Sequence, residues 1–217
     1  MLRFAEEIML LVLDDDEERF IRVPDWSLRY ALGGAVLMDL ALEDRIDTDM
    51  EKLILVDPTP MDDAILDPVL ADIAAHEHQR DARFWVERAS GMSDDIREAA
   101  IDRLIERGIL ERREDRFLWV FRARRYPVID GKAEREVKLR LMEVLFSDIV
   151  PTPRDVVMIG LADACGIFAE LLSKRELRTV LPRIELIRKM DLIGRAVTAA
   201  VWDIEVSLAQ AIRPHMA

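Results

Sequence analysis

Apolar positions in this 217-residue chain recur mainly at the three-and-four spacing of helices. Residues 32–42, Leu-Gly-Gly-Ala-Val-Leu-Met-Asp-Leu-Ala-Leu, are apolar on nearly every helical face. A helix of that kind belongs at the centre of a fold. It should be capped by Asp25 or Ser27 and run to about residue 44. Gly33 and Gly34 cost it stability, which points to close approach of another backbone or of a ligand. Asp39, set between Met38 and Leu40, requires a partner, either Arg45 or backbone amides.

The remaining pattern predicts a helix over 4–13, an acidic solvated loop over 14–18, and a hairpin from strands 45–47 and 52–56. Asp57-Pro58-Thr59-Pro60 forces an extended turn. Helices follow over 62–75 and around Phe84-Trp85-Val86, the latter broken by Gly91. The segment 93–107 is the cleanest amphipathic helix, with Ile96, Ala100, Leu104 and Ile105 on its apolar face, Ser93 as cap and Gly108 as stop. A second hairpin pairs 109–111 with 117–121. Four helices, 132–146, 156–172, 175–189 and 193–212, complete the chain. With no repeat and no long linker, the expectation is one mostly α globular domain over 1–217 with short β-hairpins.

Composition narrows the function. Apolar residues make up 51% and charged residues 34%, as in a soluble globular chain. The longest near-continuous apolar run, 30–42, falls short of the roughly 20 residues needed to span a bilayer. The opening residues lack the basic stretch and cleavage site of a secretory leader, and the lone Cys165 reads as a core residue in a reducing, cytoplasmic setting. A net charge of −12 disfavours general nucleic-acid binding. The charge is uneven, however: residues 1–100 hold 10 basic and 25 acidic side chains, residues 101–217 hold 21 and 18. An anionic partner should dock on the middle region, 102–140.

Catalytic signatures are missing. There is no phosphate-binding glycine loop, nucleophile elbow or paired-cysteine metal spacing. His76 and His78 lie two apart, about 200° around a helix, and cannot chelate one ion. Asp62-Asp63 and Asp94-Asp95 sit at helix starts, where the macrodipole favours acids. The sequence therefore predicts no enzyme, no cofactor and no metal. Two features remain. Trp26 opens the central helix beside Arg29; it either packs over the core edge or meets a membrane interface or ligand. Arg122, Arg124, Arg125, Lys132, Arg135, Lys138 and Arg140 form the densest basic stretch, in which Arg135 and Lys138 share a helix face. They either pair with Glu134 and Glu136 or form a pocket for phosphate or lipid headgroups.

In order along the chain, Glu6-Glu7-Ile8-Met9-Leu10-Leu11, the 32–42 segment with Arg45, Asp57-Pro58, Asp63, Leu66-Asp67, Trp85, Ser90-Gly91, the run 104–110 and Arg125-Tyr126-Pro127 resemble the Golgi phosphoprotein 3 family, over about residues 3–205. The resemblance implies a mostly helical, non-catalytic domain. Eukaryotic members are peripheral adaptors that recognise phosphatidylinositol 4-phosphate and bind glycosyltransferase tails and coat proteins. Their headgroup pocket uses a tryptophan and an arginine near the start of the central helix, with basic side chains from a later helix. Here Trp26 lies about two places from the family tryptophan. The family arginine falls on Gly33, leaving Arg29, one turn earlier, as the candidate substitute. On the later helix the aligned positions fall near Glu136 and Leu139, with Arg135, Lys138 and Arg140 adjacent. The 147–155 segment is shorter than the apolar hairpin of the eukaryotic members.

The leading expectation is thus a peripheral membrane adaptor on the inner membrane face, binding anionic, phosphoinositide-like lipid headgroups through Trp26, Arg29, Arg135, Lys138 and Arg140, and able to hold client proteins. The alternative is a winged-helix nucleic-acid binder on 93–121, with Arg103 and Arg107 on the helix and Arg112, Arg113 and Arg116 on the wing. A third reading is a structural interaction module whose basic stretch pairs internally.

Overall fold

The computed structural model describes residues 1–14, 19–21, 23–48, 52–115, 123–129, 131–190 and 195–212. Ten helices and three two-stranded antiparallel hairpins are found among them. The expected acidic loop, the strand 117–121 and Arg116 and Arg122 fall largely or wholly outside the described residues.

Helix α1 (Phe4–Leu11) is buried along its whole length, Glu6 and Glu7 included. It leads into hairpin β1 (Leu13–Asp14) and β2 (Arg19–Phe20). Helix α2 (Asp25–Leu42) follows, with every residue from Ala31 to Leu40 buried. That burial is what an all-round apolar sequence demands. Its cap position is Pro24, and neither Asp25 nor Ser27 supplies a capping bond; Pro24 instead presets the backbone entering the helix. Hairpin β3 (Ile46–Thr48) with β4 (Leu53–Leu55) lies where the alternation places it. Helices α3 (Asp67–Ala74), α4 (Ala82–Ser90) and α5 (Ser93–Glu106) come next. Helix α3 starts later than expected because Asp63 and Asp67 accept bonds from the backbone amides of Met61, Asp63, Ile65 and Leu66, holding 61–66 as a turn. Ser93 is the first helical residue of α5, not its cap.

The second expected hairpin is shifted. Leu110 bridges Val128, while β5 (Arg113–Asp115) pairs with β6 (Ala123–Arg125) farther out. The last four helices are α6 (Gly131–Phe146), α7 (Pro153–Ala164), α9 (Lys174–Arg188) and α10 (Arg195–Ile212), with the short α8 (Ile167–Leu171) between α7 and α9. The expected continuous helix over 156–172 is broken at Gly166, whose φ of +67° suits glycine alone. Cys165 is buried beside it.

The glycine pair of α2 explains the architecture. A Cβ on Gly33 would lie 2.7 Å from the Ser90 backbone nitrogen and 3.1 Å from the Ala89 carbonyl carbon, so α4 crosses α2 backbone to backbone. A Cβ on Gly34 would meet Leu161 Cδ2 at 2.8 Å, the end of a side chain that can turn aside. The expected result is that Gly33→Ala costs about 1–3 kcal/mol after its gain in helix propensity, and Gly34→Ala distinctly less. Urea titration of the two variants checks this, and the reverse order would contradict the crossing.

Candidate functional site

Trp26 occupies the first turn of α2, half-buried, and Arg29 stands one turn on, exposed. None of the described residues gives Arg29 an ion pair. Gly33 lies a further turn along, buried under the α4 backbone. A long cation could not stand at that position, which leaves Arg29 as the candidate cation on α2.

The cations of α6 separate. Arg135 is exposed, and its guanidinium carbon lies 3.6 Å from where a Cβ on Gly131 would be, folded over the first turn of its own helix. That turn carries the positive end of the macrodipole. Lys138 shares the flank of Arg135, as expected, but its ammonium donates to Glu134 at 2.5 Å and to the Leu13 carbonyl at 2.9 Å. Arg140 departs from the expectation. Two residues beyond Lys138, it points about 200° away. It meets Glu7 of α1 at 2.7 Å and Asp155 of α7 at 2.8 Å. It is a structural cation, outside any headgroup cradle.

The approach to α2 is tied to α6 through the first hairpin. Lys138 holds the Leu13 carbonyl, the Ile21 amide donates to Val12, and the Phe20 ring packs 5.2 Å from that of Tyr126, five residues before α6. The Arg97 guanidinium lies over the Phe20 ring, 5.0 Å from its centre. The described contacts therefore join β1 to α6 and β2 to the segment that leads into it. Trp26 and Arg29 follow six and nine residues after Phe20, and no described contact joins them directly to Arg135.

Sequence reasoning missed a buried ionic lattice around α1. Glu6 faces Arg107 at 3.3 Å and Arg103 at 3.7 Å. Glu7 is shared by Arg140 and Arg154, the latter at 3.0 Å. Asp39 accepts the Phe4 amide at 2.7 Å and lies 3.7 Å from Arg154. Of the two partners expected for Asp39, the backbone amide is the one present, and Arg45 pairs with Asp57 across the β3–β4 hairpin. Burial pushes the Asp39 carboxyl up to about 7, only partly opposed by the Phe4 amide, Arg154 and Arg3. Asp63 is no macrodipole acid either: it binds Arg103 at 2.8 Å and Arg3 at 2.9 Å. Burial raises its pKa, but those bonds and the Ile65 amide outweigh it and the carboxyl ends below its ordinary value.

The cations expected at a nucleic-acid surface are largely paired. Arg103 and Arg107 are held by buried acids, and Arg112 pairs with Asp102 at 2.7 Å. Three of the five cations expected to meet phosphates are thus occupied. His76 packs against the rings of Phe84 and Trp85, 5.2 and 5.1 Å away. Among the described residues no three His, Cys, Asp or Glu side chains converge on a metal position, and no helix is long and apolar enough to cross a membrane.

Comparison with known proteins agrees with this architecture. The sequence profile described as Golgi phosphoprotein 3 (GPP34) matches residues 4–204. Vacuolar protein sorting-associated protein 74 of Eremothecium gossypii is 26% identical over 200 residues, covering 82% of this chain and 56% of its own length. The protein of the same name from Schizosaccharomyces pombe is 27% identical over 199 residues, with the same coverage. The chain spans about half the length of these curated relatives. With nearly its whole length matched, from the buried first helix to the middle of α10, the chain belongs to the Golgi phosphoprotein 3 family.

Proposed function

We propose that this protein is a non-enzymatic peripheral membrane adaptor that docks on anionic, phosphoinositide-like lipid headgroups. The observation that carries the reading is the contrast among its cations. Most described arginines of the middle region are neutralised by acids, whereas Arg135 of α6 and Arg29 of α2 are exposed without a described carboxylate partner. Arg135 stands over a helix amino terminus, an arrangement suited to phosphate oxygens. Half-buried Trp26 fits the membrane–water boundary. Lys138 would contribute its charge by exchanging Glu134 for a headgroup oxygen. Membership of the family, and relatives named for vacuolar protein sorting, fit an adaptor that also holds client proteins.

Co-sedimentation tests the reading, with phosphatidylcholine vesicles set against the same vesicles carrying a phosphoinositide. Binding should require the anionic lipid and weaken with salt. Arg135→Ala and Arg29→Ala should each lose about 1 kcal/mol, roughly fivefold in affinity, and flatten the salt dependence. Binding indifferent to lipid charge and salt would overturn it.

A further inference from the structure

A cavity of about 320 Å³ opens between the carboxyl end of α7, α8, α9 and α10, and none of its lining residues belongs to the candidate headgroup site. Small residues leave it unfilled: α7 stops at Ala164, Gly166 turns the chain, and Ala169 on the short α8 offers only a methyl. Leu177 and Leu181 of α9 and Trp202 and Val206 of α10 supply apolar walls. Leu181, Trp202 and Val206 are each about 40% exposed, so large apolar surface stays open to solvent around a concavity. The volume falls at the small end of the range for pockets that hold small molecules, roughly 300–1,000 Å³. Among the described lining residues Asp163 alone carries a charge. Its Oδ2 accepts from Arg188 of α9 at 3.2 Å, and no described group bonds its Oδ1. The Arg188 guanidinium carbon stands 4.5 Å from the centre of the Trp202 ring. A cation thus already rests between an acid and an indole face, both of which line the cavity.

We infer that this cavity binds a small apolar amine, an alkyl or aryl chain ending in an ammonium, with the chain against Leu181, Trp202 and Val206 and the ammonium on Asp163 Oδ1. Charge selects the head. Glu185, three residues before Arg188 on α9, acts on the same carboxyl, so two carboxylates meet one guanidinium at this end of the cavity. The charges beyond do not reverse the balance. Glu170, Lys189 and Asp203 are exposed sequence neighbours of this cluster, two acids against one base. Lys174 and Arg178 stand ten to fourteen residues from Arg188 along α9, roughly 15–21 Å away. A carboxylate-headed chain would set its charge against Asp163, and a neutral chain would forgo the charge-assisted bond that an ammonium makes. The chain contributes by covering apolar wall that otherwise faces water. The inference stands apart from the headgroup reading and shares no residue with it.

Calorimetric titration of the full chain with octylamine, octanol and octanoate, which share one chain length, tests the selection. Octylamine should bind about tenfold more tightly than octanol, and octanoate more weakly than either. Asp163→Asn should bring octylamine down to the level of octanol and leave octanol unchanged. Arg188→Gln removes the cation beside the ammonium and should tighten octylamine about threefold; a merely structural Arg188 would give weaker binding instead. Leu181→Gln, at an exposed position, should weaken octylamine and octanol alike. Should Asp163→Asn fail to fold, the three ligands and Arg188→Gln still decide. Equal binding of octylamine and octanol, undiminished binding of octylamine by folded Asp163→Asn, or no binding of any of the three overturns the inference. If Leu181→Gln lowers the molecular mass in light scattering and the parent takes up no octylamine, a second copy covers the cavity and the inference falls. No vesicle enters these measurements, so their failure leaves the headgroup reading standing.

Discussion

Arg154→Met should destabilise the protein by about 3–5 kcal/mol, the cost of leaving a buried ion pair with one member missing. Arg154 is only 13% exposed and joins three elements. Its guanidinium binds Glu7 of α1 at 3.0 Å, lies 3.7 Å from Asp39 of α2, donates to the Leu2 carbonyl and covers the Phe4 ring at 4.1 Å. Methionine fills similar space and keeps the contact with Phe4, so the loss reports charge rather than volume. Glu7 would keep Arg140, but Arg140 is also shared with Asp155. Adding Glu7→Gln to Arg154→Met should recover part of the loss, because removing both charges is cheaper than stranding one. Denaturant unfolding of the parent, the two single variants and the double variant measures the coupling. A loss below about 1 kcal/mol for Arg154→Met would mean that the lattice is solvated like surface pairs.

The lattice also shows why the sequence could be read in part only. The burial of α2 was legible because its apolar residues cover every face, and its glycines announced a close crossing that Ser90 supplies. The same logic applies to α1, where Glu6 and Glu7 interrupt an otherwise apolar run from Phe4 to Leu13. Two adjacent acids suggest a solvent face, yet a helix apolar on all its other positions has no such face to offer. Their partners were invisible for a different reason. Arg103, Arg107, Arg140 and Arg154 come from α5 and its carboxyl cap, α6 and α7, up to 147 residues away, and no local spacing encodes that convergence. For Asp39 the sequence left Arg45 and backbone amides both open; the structure selects a backbone amide, that of the distant Phe4, which no local spacing could name. Arg140 is the instructive case at the candidate site. Its helical phase relative to Lys138 already separated the two side chains, whereas its attachment to Glu7 and Asp155 required the tertiary structure.

Asp39→Asn should change how stability depends on pH. Asp39 is buried and its carboxyl stands at about 7, against an ordinary value of 3.8, chiefly because burial penalises its charge. The folded state therefore holds this proton across the window from 3.8 to about 7, where the unfolded state has released it. The resulting contribution to stability is fully present below 3.8 and is lost as pH rises through about 7. A shift of this size corresponds to about 4 kcal/mol between the two limits. Asparagine retains an oxygen for the Phe4 amide but turns a neutral donor towards Arg154, a fixed cost at every pH. The variant should thus be somewhat less stable than the parent near pH 4 and gain on it steadily to pH 8. Asp63, whose carboxyl is lowered, and Asp163, raised by burial against the opposing pull of Arg188, titrate identically in both proteins and cancel in the comparison. Parallel stability curves between pH 4 and 8 would show that Arg154 keeps Asp39 ionised throughout, and that the lattice around α1 is held by full charges on both sides.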